Sequence, residues 1–265
     1  MTTLRKRADL LLLERGLASS RQEACGLILA GKVRTGDHRI EKPGMLLPAE
    51  VPLEVAGPAH PFVSRGGVKL RHALEAFRLE PRGRVCLDVG ASTGGFTDCL
   101  LQAGARVVIA VDVGYGQLAA RLRQDPRVQV LERTNIRFLE PWQLPMRPDL
   151  ATIDVSFISL TLVLPVVFGL LDPPRDVVAL VKPQFEVGKG QVGKRGVVRD
   201  PARHQAVLER ITGSAGDVGF RVAGITASPL LGPMGNREFL VHLSGEAMQA
   251  DVPSLIARVM ASAAA

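Results

Sequence analysis

The 265-residue chain has only three cysteines, Cys25, Cys86 and Cys99. They lack metal-ligand spacing and sit in apolar segments, which argues against a zinc site or a disulfide framework and for buried thiols in a reducing cytoplasm. Long hydrophobic runs are also missing. The most apolar stretch, Phe157 to Leu171, is interrupted by Ser159, Thr161 and Pro165 and falls short of the roughly 20 residues that cross a bilayer. The basic start, Met1 to Arg7, is followed only by the short run Leu10 to Leu13, so no export signal is expected. Negative charge is scarce: 26 Asp and Glu stand against 33 Lys and Arg, a formal net charge of +7. That balance favours an anionic partner, with nucleic acid ahead of a membrane surface.

The chain is organised around residues 85 to 96, VCLDVGASTGGF. Val85 to Val89 reads as a buried parallel strand, Gly90, Gly94 and Gly95 as a loop, and Phe96, Cys99, Leu100 and Ala103 as one face of a helix that stops at Gly104. Such a turn sets free N–H groups and a helix N-terminus at the carboxyl edge of a sheet. The spacing is G-x-x-x-G-G, not the dinucleotide G-x-G-x-x-G, and no Walker lysine follows, so an adenosine-type ligand such as S-adenosylmethionine fits better than a pyrophosphate. The next strand, Arg106 to Val111, ends at Asp112, where a carboxylate meets ribose hydroxyls.

Residues 1–56 read as a small module. Two short helices, Arg7 to Arg15 and one capped by Ser19 or Ser20, lead into short strands, and residues 57–61 form a Pro/Gly linker. Arg5, Arg7, Arg21, Lys32 and Arg34 crowd this segment as phosphate-binding candidates, against the alternative of an ordinary solvated face. RADLLLLERGLASSRQEACGLILAGKVRTGDHRI resembles the small RNA-binding module first known in a small-subunit ribosomal protein.

Further strands are expected at Val128 to Leu131, Leu150 to Ile153, Val177 to Val181, Val222 to Ile225 and Phe239 to Leu243, with helices at Gly116 to Arg123, Ser159 to Leu170 and Arg203 to Val218. Asp112, Asn135, Asp154 and Lys182 each follow an apolar strand, so all four converge on the edge that carries the glycine loop. Lys69, in the first turn of a helix, opposes the helix dipole and is poorly explained by local stability. The loop from Lys182 to Asp200, with Lys189, Lys194 and Arg195, reads as a flexible basic lid, and Arg65 as a further RNA contact.

The motifs SRGGVKL, CLDVGASTGGFT, VDVGYGQL, DPRVQVLERTN, DVSFISL, LVKPQFEVGKGQVGKRGVV and GNREFLVHL, in that order, make residues 62–265 similar to FtsJ-like ribose 2'-O-methyltransferases; the whole chain resembles the TlyA family, the haemolysin A group. The resemblance implies an α/β fold, a Rossmann-like class I methyltransferase sheet with helices on both faces, preceded by a small α+β RNA-binding domain. It implies a catalytic tetrad at Lys69, Asp154, Lys182 and Glu238, and S-adenosyl-L-methionine held by Gly90, Ser92, Gly94, Gly95, Phe96, Asp112 and, beside the adenine, Asn135. No metal is implied. The implied substrate is a cytidine ribose in ribosomal RNA or a ribosomal subunit; a cytoplasmic location is expected from the cysteines, and a monomer because the enzyme must dock on a large curved RNA surface. Within that scheme Lys182 accepts the hydroxyl proton or stabilises the forming alkoxide, Asp154 and Lys69 position it, and Glu238 tethers the lysines. A non-catalytic RNA-binding or ribosome-assembly factor and a membrane-active haemolysin are the competing classes.

Overall fold

The computed structural model describes residues 5–18, 20–55, 60–188, 190–193 and 196–264. The chain divides into two compact units, 1–61 and 62–265.

In the first unit, β1 (Arg5–Arg7) leads directly into α1 (Ala8–Glu14), so the expected helix starts one residue late and is preceded by a strand. Helix α2 (Arg21–Leu29) is capped by Ser20, whose Oγ accepts from the Glu23 amide at 3.1 Å. Short strands β2 (Val33–Thr35), β3 (His38–Arg39), β4 (Leu46–Pro48) and β5 (Glu54–Val55) follow; β4 pairs antiparallel with β1, and β2 is flanked by β3 and β5. Leu11, Leu12, Ala24, Ile28, Val33 and Ile40 form its core. Cys25 departs from expectation. It is half-buried, and its Sγ lies 3.9 Å from the Asp9 carboxylate, not among apolar neighbours.

The second unit runs α3 (Gly66–Phe77), β6 (Val85–Val89), α4 (Gly95–Gln102), β7 (Val107–Val111), α5 (Ala120–Arg123), β8 (Val128–Leu131), β9 (Leu150–Ile153), α6 (Leu160–Leu170), β10 (Asp176–Val181), α7 (Pro183–Glu186), α8 (Pro201–Val218), β11 (Arg221–Ala227), β12 (Phe239–Ser244) and α9 (Val252–Ala264). The seven strands order as β11-β12-β10-β9-β6-β7-β8. All neighbours from β10 to β8 are parallel, whereas β12 is antiparallel to both β10 and β11.

Alternation along the strands divides the core. Val177, Ala179 and Val181 of β10 face α6, α8 and α9, while Val178 and Leu180 face α3 and α4. Strands buried on both faces read as continuous apolar runs, which is why they were visible in the sequence. Three elements differ from expectation. The helix expected over 116–123 is only the turn Ala120–Arg123; the basic loop begins with the short helix α7; and the residues after β12 form α9, whose Ile256 and Val259 enter the core. Among the described residues no helix is long and apolar enough to cross a membrane.

Candidate active site

The parallel pairing of β6 with β9 places Val89 beside Ile153, so the loops that leave these strands touch. Gly90 has φ +84°, and a Cβ there would lie 2.6 Å from the Asp154 carbonyl oxygen. Glycine is therefore required both by conformation and by close approach. Gly94, at φ +97°, caps α4 in the left-handed region, and a Cβ on it would meet Leu122 at 2.3 Å. Gly94 thus packs against the α5 side. The Phe96 ring is buried with Leu70 and Leu100, and the residue borders a cleft.

Asp112 braces two loops. Its carboxylate accepts the Ser92 amide at 2.8 Å and the Gly114 amide at 2.6 Å. Each oxygen keeps a second lone pair, so a ribose diol can still be held there. Asn135 lies in the same region, but its Oδ1 accepts the Arg137 amide at 3.1 Å and caps a 3₁₀ turn, Ile136–Phe138. Its acceptor is thus already engaged.

Two adjoining clefts open at this edge. One, of about 450 Å³, is bordered by Asp112, Val113, Asn135 and Ile136. The other, of about 630 Å³, is bordered by Lys69, Asp154, Lys182, Glu238, Gly95 and Arg65. Gly90, Ser92, Asp154, Ser156 and Phe157 border both.

The second cleft contains two separate ion pairs. Lys182 Nζ lies 2.5 Å from Asp154 Oδ1 and donates to Ser156 Oγ at 3.0 Å. Lys69 Nζ donates to Glu238 Oε2 at 2.5 Å, with the carboxylate side chain fully buried and the lysine side chain 11% exposed. Lys69 in the first turn of α3 is thereby explained: it is paired across the fold, with a residue 169 positions away. The pairing also differs from the expected one, since Glu238 holds Lys69 alone and Asp154 holds Lys182. The other carboxylate oxygen, Oε1 of Glu238, is buried with no hydrogen-bond partner among the described residues.

The antiparallel sense of β12 brings Glu238 here. Val181 is paired with Phe239, so the residue before β12 and the residue after β10 sit at the same edge. Several residues at the edge carried no expectation. Ser156, Phe157, Gln184, Phe185 and Asn236 border the larger cleft. Phe157 has φ +64° and is 90% exposed, with its ring centroid 4.7 Å from that of Phe185. Asn236 donates to Gly196 O at 2.9 Å and accepts the Val198 amide at 3.0 Å, so it anchors the returning end of the basic loop. Beneath the glycine loop, Asp88 accepts from the hydroxyls of Thr97 (2.6 Å) and Thr152 (3.1 Å), and its complete burial pushes the carboxyl up to about 7.

Of the RNA-binding candidates, Arg5 and Arg34 are exposed and Lys32 is half-buried. Arg7 and Arg21 converge on buried Asp9, each at 3.0 Å. Their guanidiniums hold the Asp9 carboxyl down at about 2. Lys189, Lys194 and Arg195 lie outside the described residues.

A mixed seven-stranded sheet with one antiparallel strand, a glycine loop after β6 and an acid after β7 defines a class I methyltransferase. The chain belongs to the FtsJ-like methyltransferase family, whose model matches residues 62–244. It is 51% identical over 240 residues to the 16S/23S rRNA (cytidine-2'-O)-methyltransferase TlyA of Mycobacterium tuberculosis, covering 90% of each chain. It is 38% identical to hemolysin A of Brachyspira hyodysenteriae, covering 86% of this chain and 95% of that one. A solved Streptococcus thermophilus structure, provisionally described as a hemolysin, is 44% identical with a TM-score of 0.78, covering 99% of this chain and 97% of that one.

Proposed function

We propose that the protein transfers a methyl group from S-adenosyl-L-methionine to the 2'-hydroxyl of a cytidine in ribosomal RNA, acting as a monomer in the cytoplasm. The observation that carries this reading is the position of Lys182. Its ammonium borders the larger cleft and is held there by Asp154 and Ser156, the two residues of this group that border both clefts. The smaller cleft fits an adenosine: a glycine that tolerates no Cβ, a carboxylate with spare lone pairs, and Val113 and Ile136 as apolar walls. The larger cleft fits the ribose, with cations along its border for the flanking phosphates.

S-adenosylmethionine, when bound, supplies an electrophilic methyl on a cationic sulfur. The chain supplies orientation and proton handling. Lys182 takes the proton of the 2'-hydroxyl as that oxygen would bond to the methyl carbon and the carbon–sulfur bond would break, and Asp154 and Ser156 hold the lysine in line. Lys69 places a second positive charge at the site, which stabilises developing alkoxide charge. Glu238 keeps Lys69 fixed, because a buried ammonium without a partner is costly. Arg5, Arg7, Arg21, Lys32 and Arg34 contact RNA phosphates, as does Arg65 at the larger cleft, and Lys189, Lys194 and Arg195 add charge for the same contacts.

The test is transfer of labelled methyl to purified small subunits, large subunits and naked rRNA. Label at one cytidine, with resistance to alkaline cleavage there, supports the reading. Cofactor binding without label on any of the three substrates would contradict ribosomal RNA as the acceptor.

A further inference from the structure

The ladder between β9 and β10 ends with Ile153 opposite Ala179. Lys182 lies three residues past the last β10 residue paired with β9, and Asp154 one residue past the last β9 residue paired with β10. Asp154 is tied by its amide to Val89 O at 2.9 Å, on the β6 side and not on the side of Lys182. The sheet alone therefore does not hold the two loops that present this pair.

Glu186 joins them. It is the last residue of α7, the helix that begins immediately after Lys182, and its side chain is 2% exposed. Oε1 accepts the Leu160 amide at 2.7 Å, and Oε2 accepts the Ser159 hydroxyl at 2.7 Å. Ser159 and Leu160 are the cap and first residue of α6, directly after the segment that carries Asp154, Ser156 and Phe157. Arg210 Nη2, from α8, donates to Glu186 Oε2 at 2.9 Å and to the Glu186 carbonyl at 2.6 Å. One carboxylate thus links the loop after β9, the loop after β10 and α8. A carboxylate at a helix N-terminus interacts favourably with the helix dipole, and the arginine offsets its burial.

We propose that Glu186 is a positioning residue that sets the separation of Lys182 from Asp154 and so controls the chemical step without touching substrate. The proposal rests on the reading of Lys182 as proton acceptor. Glutamine at this position keeps an acceptor for the Leu160 amide but loses the charge that pairs with Arg210; alanine loses both. Misplacement of a reacting group by about 1 Å costs on the order of a hundredfold in rate.

The experiment measures kcat, KM for the RNA and Kd for S-adenosylmethionine in the full-length protein, for wild type, Glu186→Gln, Glu186→Ala and Arg210→Ala. Val207→Ala, a core truncation in α8, serves as a control for lost stability. The expected kcat losses are about a hundredfold for Glu186→Ala, about tenfold for Glu186→Gln and about threefold for Arg210→Ala. KM and Kd should stay within about twofold, and Val207→Ala should keep its kcat at 20 °C even where its Tm falls as far. A Glu186→Ala kcat no lower than that of the control, or a parallel loss of cofactor binding, would overturn the inference while leaving the wild-type reaction in place. A wild type that binds cofactor but methylates no RNA would overturn the reading of the site and this inference together.

Discussion

The strands β9, β10 and β12 carry ionisable groups at both ends, and the two ends are built differently. At the edge away from the clefts, Arg84 donates to Asp149 at 2.7 Å and to Asp176 at 2.8 Å, and Asp176 also meets His242 at 3.3 Å. One guanidinium satisfies two carboxylates there, and a further nitrogen of Arg84 donates to the Asp149 carbonyl. At the opposite edge the charges are split into two lysine–carboxylate pairs beside open clefts, and Glu238 Oε1 is left without a partner among the described residues. A closed network holds strands together. A divided one, with an unfilled acceptor and lysines as proton-carrying groups, is suited to a substrate.

If this contrast is right, variants at the two ends should separate chemistry from stability. The largest effect is expected for Lys182→Ala: turnover should fall by about a thousandfold or more, with S-adenosylmethionine affinity changed by less than about threefold, as read by single-turnover label transfer and calorimetry. Glu238→Gln comes next. It leaves Lys69 buried without a counter-charge, and breaking a buried pair typically costs about 3 kcal/mol or more of stability, so both urea unfolding and turnover should suffer. Arg84→Met should show a stability loss of similar size, because two carboxylates lose their shared partner, yet the folded fraction should turn over normally at low temperature. An Arg84→Met protein whose folded fraction loses turnover would break the comparison.

Two further effects concern pH. Arg84 and hydrogen bonds from His242 and Ser244 hold the Asp176 carboxyl down at about 2 against the desolvation of its site. Its contribution to stability is therefore present above its ordinary value near 4 and lost as pH falls toward 2. Asp88 has the opposite sign. Its carboxyl is raised to about 7, so the stability it supports is present below pH 4 and declines as pH rises to about 7. Asp88→Asn should flatten the stability profile between pH 4 and 7 while leaving the acid limb, and urea titrations across that range would show it. A wild-type profile that rises over this interval for the same reason would contradict the burial argument for Asp88.

The legibility of the site followed the direction of the strands. Asp112, Asp154 and Lys182 each end a buried apolar run, and in a parallel sheet such residues must share an edge. Glu238 could not be placed by that rule, since it precedes its strand and reaches the same edge only because β12 is inserted antiparallel. Sequence periodicity carries no information on strand sense. Lys69 was visible as a local anomaly, but its partner was not, because 169 residues separate them. Gly94 was legible as a glycine of the loop, whereas its packing against Leu118 and Leu122 depends on where α5 falls. Asn135 illustrates a competing use: its side chain serves the backbone of the next turn. Helix α7 was hidden within a glycine-rich, basic stretch whose composition suggested a loop throughout.

The most direct test of the account is single-turnover methyl transfer by Lys182→Ala and Arg84→Met, measured side by side at saturating cofactor and ribosomal RNA, with the folded fraction of each determined under the same conditions. The account predicts that Lys182→Ala is fully folded, binds S-adenosylmethionine and transfers no methyl above background, whereas Arg84→Met transfers at the wild-type rate per folded molecule. Methyl transfer by Lys182→Ala within about tenfold of wild type would contradict the assignment of the proton to Lys182, since loss of a general base typically costs about 10²–10⁴-fold.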